Sequence, residues 1–372
     1  MIKRLLLLSG LAIVAVVVAH AAQWVWVAMF WWTDRYLPVS VPNYDLMGTP
    51  SYYGVVILQK LAVFAVPAFL FATGFFASYA SRGTHGKTWK LVGARLKVLL
   101  IPYLIWSLVI FVGDYLQGIV YTFPQYLSRL LLGKAVETYW YVFVLIQLYL
   151  LFPLLVPIAI SRPKLLLATT GTLLLAVIGF FYWKLYVELS GANAATADVA
   201  IRLIPGRSPV RWIFFLTLGI VSGCHLQSLK AFLSQTKWIL LATAVISFPL
   251  AVIETEWIFQ QTGMDWRAGA FTLPGGLYAV SMILAFMAFE HTRVPFPKLG
   301  YELGGATFGI YLLHRPVLEF SARATQKFLP QVLAYPVVFQ MLLMVLAVGV
   351  PFAFMRLVAR SPAKRWYRYL FG

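Results

Sequence analysis

One histidine, His20, lies deep inside the first apolar stretch of this sequence, which runs from Leu5 to Trp32. The stretch is long enough to cross a bilayer with some tilt. An ionisable side chain inside such a helix is costly in lipid, and it usually faces the interior of a helix bundle or a wet cavity. Neutral imidazole is the natural proton acceptor near pH 7. We therefore take His20 as a candidate general base.

Two other interpretations of the first stretch stay open. A basic start, an apolar run and a small residue on either side of His20 would suit a secretory signal peptide, although the apolar run continues through several tryptophans to Trp32. Alternatively, His20 is a polar residue that is merely hydrogen-bonded inside a helix bundle.

The composition excludes a soluble domain, because 61% of the 372 residues are hydrophobic and only 11% are charged. Such a chain is typical of a polytopic α-helical membrane protein. In such a protein, the basic residues indicate which ends of the helices face the cytoplasm. The net charge of +18 therefore does not call for a nucleic-acid partner, and none is expected. The one cysteine, Cys224, excludes an intramolecular disulfide and a cysteine-built metal site, and with His225 it offers too few ligands for a metal.

Apolar periods predict an all-α fold with about ten transmembrane helices in a single domain, residues 1–372. The predicted spans are about 5–32, 54–80, 97–117, 139–160, 164–184, 211–226, 237–256, 269–290, 303–322 and 334–358. If the first span starts in the cytoplasm, 18 of the 30 Lys and Arg residues lie in cytoplasmic segments and 10 lie in segments on the opposite side. This excess favours cytoplasmic N- and C-termini.

A second histidine, His314, lies near the middle of the ninth predicted span, at a depth within a turn or two of His20. Arg315 and Glu319 follow His314. These two residues are four positions apart and could pair with each other on one helix face. A substrate-binding or supporting role for these residues is as compatible with the sequence as a structural one.

Three further charged residues have simpler interpretations. Lys60 is expected to extend its amine to the membrane surface. Glu254 and Glu256 are expected in a solvated loop on the outer side, where they could meet a sugar hydroxyl.

Five stretches follow one another in an informative order. They are the first span with His20; Val66-Pro67-Ala68-Phe69-Leu70-Phe71 with Gly74-Phe75; Arg95-Leu96-Lys97 with Ile101-Pro102-Tyr103 and Trp106-Ser107; Tyr139-Trp140-Tyr141 with Leu148-Tyr149-Leu150 and Phe152-Pro153; and Thr307-Phe308-Gly309-Ile310-Tyr311-Leu312-Leu313-His314. Together they resemble the acyltransferase 3 family of integral membrane acyltransferases over almost the whole chain. The resemblance implies a core of ten spans, in agreement with the independent count.

The resemblance also implies a reaction. The family moves an acyl group from cytoplasmic acyl-CoA, commonly to a hydroxyl of a saccharide or a lipid-linked glycan at or beyond the membrane. The expected donor substrate is thus acyl-CoA with acetyl or succinyl as the acyl group, without a metal cofactor. The expected partners are membrane lipid and a glycan acceptor, and the expected location is the inner, or plasma, membrane.

The family motifs assign further residues and reveal two departures. Arg95 matches the first arginine of the family's RxxR at the third span and would anchor the donor. Val98 holds the second place, and the adjacent Lys97 would assist Arg95. The family's first span has an arginine, ten residues and then a histidine, and here Ser9 holds the place of that arginine. Ser9 could supply a hydroxyl but no charge.

Two functions from other classes compete with an acyltransferase. A transporter or flippase for a small metabolite or a lipid-linked sugar would also suit ten spans with intramembrane histidines. A catalytically inactive relative that serves as a scaffold would explain the arginine missing at Ser9.

Overall fold

The computed structural model describes residues 1–80, 88–191, 206–263 and 269–372, and every regular element in these ranges is helical. The α-helices are α1 (Ile2–Trp31), α2 (Pro50–Leu61), α3 (Ala65–Ala80), α4 (Thr88–Leu116), α5 (Phe123–Leu131), α6 (Trp140–Ser161), α7 (Pro163–Leu189), α8 (Ile213–Cys224), α9 (Leu226–Thr262), α10 (Leu273–Ala288), α11 (Pro297–Gly305), α12 (Thr307–Phe328), α13 (Pro336–Arg360) and α14 (Tyr367–Phe371). The predicted all-α class is confirmed.

Seven helical stretches in the described ranges are long and apolar enough to cross a membrane. They are Ile2–Trp31, Pro50–Tyr79, Trp89–Leu116, Glu137–Ser161, Pro163–Leu189, Leu226–Thr262 and Pro336–Arg360. Two shorter apolar helices, α8 and α10, add to these. The chain is therefore a multi-pass membrane protein, while the count of ten spans and the cytoplasmic termini stay predictions.

The ninth predicted span, 303–322, differs most from the structure. Two helices, α11 and α12, replace it, and they are separated at Ala306, where φ is −104° and ψ is 5°. The sequence after this break is charged, since α12 carries Arg315, Glu319, Arg323 and Lys327. The apolar run that suggested one span is thus divided between the end of a short helix and the first half of a longer, more polar one.

The chain divides into two compact units. The first comprises residues 1–66, 238–270 and 274–361, and the second comprises residues 67–237, 271–273 and 362–372. In the first unit, α1 is the most enclosed helix, and it packs against α2, α11, α12 and α13. His20 thus lies on the helix around which the first unit is built.

Small residues set the closest helix contact of the first unit. Gly300 and Gly304 lie one turn apart on α11 and face Gly10 of α1. A Cβ on Gly10 would overlap the carbonyl oxygen of Gly300 and lie 3.2 Å from the nitrogen of Gly304. This is the small-xxx-small arrangement that lets membrane helices approach backbone to backbone.

The second unit contains the same device. Gly219 and Gly223 of α8 pack against the backbone of Phe71 and Phe75 in α3, and Gly74 of α3 packs against the carbonyl of Leu216. In each unit, these helices associate through close backbone packing at small residues rather than through large apolar side chains.

Candidate active site

The His20 and His314 side chains meet in the first unit. Their ring centroids are 5.3 Å apart, and the rings are inclined by 41°. His314 is fully buried in α12, and His20 is half-buried in α1. The two histidines, which were predicted to lie at similar depth, are thus in contact.

The hydrogen bond of His314 fixes which of its nitrogens can accept a proton. Its Nδ1 lies 2.6 Å from the carbonyl oxygen of Tyr311. A carbonyl oxygen only accepts, so in the neutral ring Nδ1 carries the hydrogen and Nε2 carries the lone pair. Within the described ranges, Nε2 of His314 is buried and has no hydrogen-bond partner, and the same holds for Nδ1 of His20. The pair therefore presents two buried imidazole nitrogens that the protein itself leaves unbonded.

Polar groups from three helices surround this pair. Gln23, one turn after His20, lies beside the His20 ring, and its Oε1 accepts a hydrogen bond of 2.8 Å from Nη1 of Arg315. Gln340 of α13 is fully buried, and its amide lies 3.4 Å from the carbonyl oxygen of Val18. The histidine pair thus lies among amide and guanidinium groups within an otherwise apolar core.

Comparison with known proteins decides the family. A model of the acyltransferase 3 family, described as an acyltransferase domain, matches residues 3–356. The chain belongs to the acyltransferase 3 family. This confirms the resemblance, and the match includes His20 and His314.

Relatives agree with this assignment at low identity. The acyltransferase domain is 26% identical over 268 residues to a Bacillus subtilis protein that bears the name of a membrane-bound acyltransferase, and the match covers 69% of this chain and 68% of the relative. It is 19% identical over 300 residues to a Staphylococcus aureus protein that bears the name of a poly-β-1,6-N-acetyl-D-glucosamine export protein, with 79% and 80% of the two chains covered. No solved structure gives a significant match.

Ser9, which holds the family arginine's place, does not lie beside the histidine pair of this acyltransferase. Its hydroxyl donates to the carbonyl oxygen of Leu5 in its own helix, 3.0 Å away, and His20 lies about 16 Å further along the axis at ~1.5 Å per residue. The nearby Arg4 has a different task. Its Nε donates to the carbonyl oxygen of Phe286 at 2.8 Å, and its Nη1 donates to that of Thr292 at 3.1 Å.

Their spacing suggested that Arg315 and Glu319 would bind each other, but in the structure each binds a different residue. Arg315 donates to Gln23, whereas Glu319 binds Arg323 at 2.9 Å. The Glu319 and Arg323 side chains are 48% and 63% exposed. Arg315 therefore faces the histidine pair, and Glu319 lies on the exposed side of α12.

The donor-binding candidates of the acyltransferase belong to the second unit. Arg95 and Lys97 are both exposed on α4, and Arg95 lies close enough to Tyr149 of α6 to interact with it electrostatically. Residues two positions apart point to different sides of a helix. Lys97 therefore does not extend the face that Arg95 presents, and its assisting role has no support from the helix geometry.

A buried charged cluster in the first unit was misinterpreted from the sequence. Lys60 is only 2% exposed, so the expected extension to the membrane surface is wrong, and Glu254 lies near enough to interact with its charge. Glu254 and Glu256 lie inside α9 rather than in a loop. Tyr52 of α2 donates to Oε2 of Glu256 at 2.8 Å. The lysine and the two acids lie far apart in the sequence, so only their occurrence inside apolar helices could have signalled this cluster.

Proposed function

We propose that this protein transfers an acyl group from cytoplasmic acyl-CoA to a hydroxyl of an envelope glycan or a lipid-linked saccharide in the plasma membrane. Acetyl is the first candidate for the acyl group, and succinyl is the second. The family supplies the reaction class, and the relative named for export of poly-β-1,6-N-acetyl-D-glucosamine supports a glycan as the partner.

The observation that carries the proposal is the buried histidine pair with its two unbonded ring nitrogens. In the proposed step, one of these nitrogens takes the proton of the acceptor hydroxyl while the hydroxyl oxygen attacks the thioester carbonyl. The carbon–sulfur bond then breaks, the new ester forms, and the proton passes to the leaving thiolate. His20 is the proposed base, and His314 is a second group that could hold or accept the same proton.

The groups around the pair have proposed supporting roles. Arg315 holds the Gln23 amide, and its positive charge favours the oxyanion that forms on the thioester carbonyl. Arg95 is proposed to bind the phosphates of the coenzyme, since a guanidinium suits phosphate oxygens. Lys97 is retained only as a general source of positive charge near the same membrane surface.

Transport of a glycan is the second candidate function, because a relative named for glycan export covers 79% of this chain. A buried charged cluster of Lys60 and Glu254 would also suit a transporter. Movement of a labelled oligosaccharide into sealed vesicles without chemical change would favour this function over acyl transfer.

The deciding experiment measures thiol release from acetyl-CoA and succinyl-CoA by the purified protein in nanodiscs. The acceptors are oligomers of β-1,6-linked N-acetylglucosamine, glucose and galactose, each from disaccharide to hexasaccharide. Wild type is compared with His20→Ala and His314→Ala. The matched control is His225→Ala. His225 belongs to the second unit rather than to the histidine pair, and its ring is hydrogen-bonded to the carbonyl oxygen of Ala159 at 2.9 Å.

We expect acceptor-dependent thiol release by wild type and by His225→Ala, and a loss of about 10²–10⁴-fold in His20→Ala. Mass spectrometry of the intact protein should show that residues 1–21 are retained. Equal activity of His20→Ala and wild type, or removal of those residues, would exclude His20 as the base. Absence of thiol release with every donor and acceptor would refute the proposed transfer from these acyl-CoA donors to these glycans.

A further inference from the structure

A cavity of about 380 Å³ lies just beyond the C-terminal end of α1 in the first unit. Its lining includes the polar residues Thr33, Tyr36, Asn43, Asp45, Gln331 and Tyr335. These residues come from the segment after α1 and from the segment that leads into α13. Two parts of the chain that are distant in sequence thus build one concave polar surface.

Two hydroxyl groups of the lining are buried without a partner. The Thr33 side chain is 2% exposed, and neither its Oγ1 nor the hydroxyl of Tyr36 has a hydrogen-bond partner in the described part of the chain. Burial also raises the pKa of Tyr36, which keeps its phenol a hydrogen-bond donor. A buried hydroxyl without a partner is costly to keep, so a side-chain rotation that brings either hydroxyl to a ligand in the cavity would be favoured.

The shape of the cavity is set by contacts of the same segment. The backbone nitrogen of Asn43 donates to the carbonyl oxygen of Phe30 at 2.8 Å, and the Tyr44 ring packs on the Phe30 ring with centroids 5.2 Å apart. The Asn43 and Asp45 side chains are joined by a hydrogen bond of 3.1 Å. The cavity is therefore largely formed before a ligand arrives, which is the usual state of a binding pocket.

The chemistry of the lining fits a neutral sugar. Hydroxyl, amide and carboxylate groups converge with two aromatic rings, and the Tyr335 side chain is 65% exposed beside the cavity. A sugar presents hydroxyls to the polar groups and C–H faces to an aromatic ring. Among the described residues, the lining contains the Asp45 carboxylate and no lysine or arginine, which disfavours a phosphate or the coenzyme at this place.

Aromatic side chains connect the cavity with the histidine pair. The Trp24 ring lies 5.9 Å from the guanidinium of Arg315, next to the pair, and its centroid is 5.7 Å from that of Trp32. Trp32 directly precedes Thr33. The distance along α1 from His20 to Trp31 is about 16 Å at ~1.5 Å per residue. A ligand that occupied both places would have to be several sugar units long.

We propose that this cavity binds a sugar unit of the acceptor glycan at a distance from the hydroxyl that is acylated, so that the protein selects chains over short saccharides. The site itself stands on the cavity and its hydroxyls, whereas its part in the reaction rests on the proposed function. The bound unit would accept or donate hydrogen bonds at Thr33 and Tyr36 and would stack on Tyr335.

The kinetic test compares disaccharide and hexasaccharide acceptors of the panel described above. We expect the wild-type KM to be about tenfold lower for the hexasaccharide, and we expect Thr33→Val and Tyr335→Ala to abolish this advantage without changing the disaccharide parameters. Thr33→Val should fold normally, because the hydroxyl that it removes has no partner. The control is Tyr115→Ala, whose side chain is 63% exposed in the second unit.

A binding test separates this site from the reaction. Hexasaccharides are titrated into wild type and variants without any acyl donor, and tryptophan fluorescence or calorimetry is recorded. Weaker binding to Thr33→Val and Tyr335→Ala, but not to Tyr115→Ala, supports the site even if no acyl transfer is found. Equal binding to all proteins, or failure of every hexasaccharide to bind wild type, overturns it, even where disaccharides are acylated.

Discussion

The contact of α1 with α11 predicts that Gly10→Ala moves α1, the helix that carries His20. The added carbon would overlap the carbonyl oxygen of Gly300 and lie 3.2 Å from its carbonyl carbon. These are backbone atoms, which cannot rotate away as a side chain would. The two helices must therefore separate by about 1 Å to restore an ordinary carbon contact of ~3.5 Å or more.

The expected loss of stability follows from two opposing effects. Overpacking of a close contact costs about 1–3 kcal/mol, while replacing glycine by alanine inside a helix returns roughly 0.5–1 kcal/mol. The net decrease in the free energy of unfolding should be about 0.5–2 kcal/mol. A displacement of about 1 Å can cost 10²-fold in rate. In free-energy terms, the loss of acyl-transfer rate should therefore exceed the loss of stability.

Two assays and one control test this reasoning. Stability is measured by denaturant titration in detergent micelles, and activity is measured by thiol release in nanodiscs. Gly349→Ala is the matched control, because Gly349 lies inside α13 of the same unit and a Cβ there meets nothing within 4 Å. If Gly10→Ala is as stable and as active as Gly349→Ala, the close packing of α1 does not position His20.

Four other substitutions test the charged residues of the first unit by the same denaturant titration. Lys60→Met leaves Glu254 without this cation and should cost about 3–5 kcal/mol. Adding Glu254→Gln to this variant should recover most of the lost stability, and failure to recover it would refute the pairing. Arg4→Gln removes charged hydrogen bonds to two carbonyls and should cost about 1.5–3 kcal/mol, so an unchanged titration would show that these bonds are not formed. Glu319→Gln breaks only the exposed pair with Arg323 and should cost less than about 0.5 kcal/mol, with activity retained; a large loss of activity would place Glu319 in the site after all.

The sequence was informative where a polar residue interrupts an apolar run. His20 and His314 were identified because ionisable groups inside lipid-spanning helices are rare and costly. Helical rise predicted a similar depth for the two, whereas their contact needed the structure. The all-α class followed from the length of the apolar runs in the same way.

The sequence was less informative where packing decides the environment. Lys60 is flexible enough to reach a membrane surface, but the charge of Glu254 in a neighbouring helix favours its buried position. The Glu254 position was missed because two acids close together suggested the end of the apolar span, whereas the helix continues through them to Thr262. Gln340 was overlooked because a single amide hardly changes the hydropathy of its helix.

Some of these features carry a local signal that a search for catalytic motifs passes over. Gly300 and Gly304, like Gly219 and Gly223, have the four-residue spacing of close helix contacts. Such spacing predicts that a helix has a close neighbour, but it does not say which helix that neighbour is. The pairing with Gly10 needed the structure.

The enclosed position of α1 has a consequence for how the protein is made. This helix leaves the ribosome well before α11, α12 and α13, which cover it and begin only at Pro297. At about 5–20 residues per second, the roughly 270 residues between Trp31 and Pro297 take about 15–50 seconds to synthesise. During this interval His20 and Gln23 face lipid or a helper protein instead of their native neighbours. A membrane insertase that shelters polar helix faces during this interval should therefore raise the yield of folded protein.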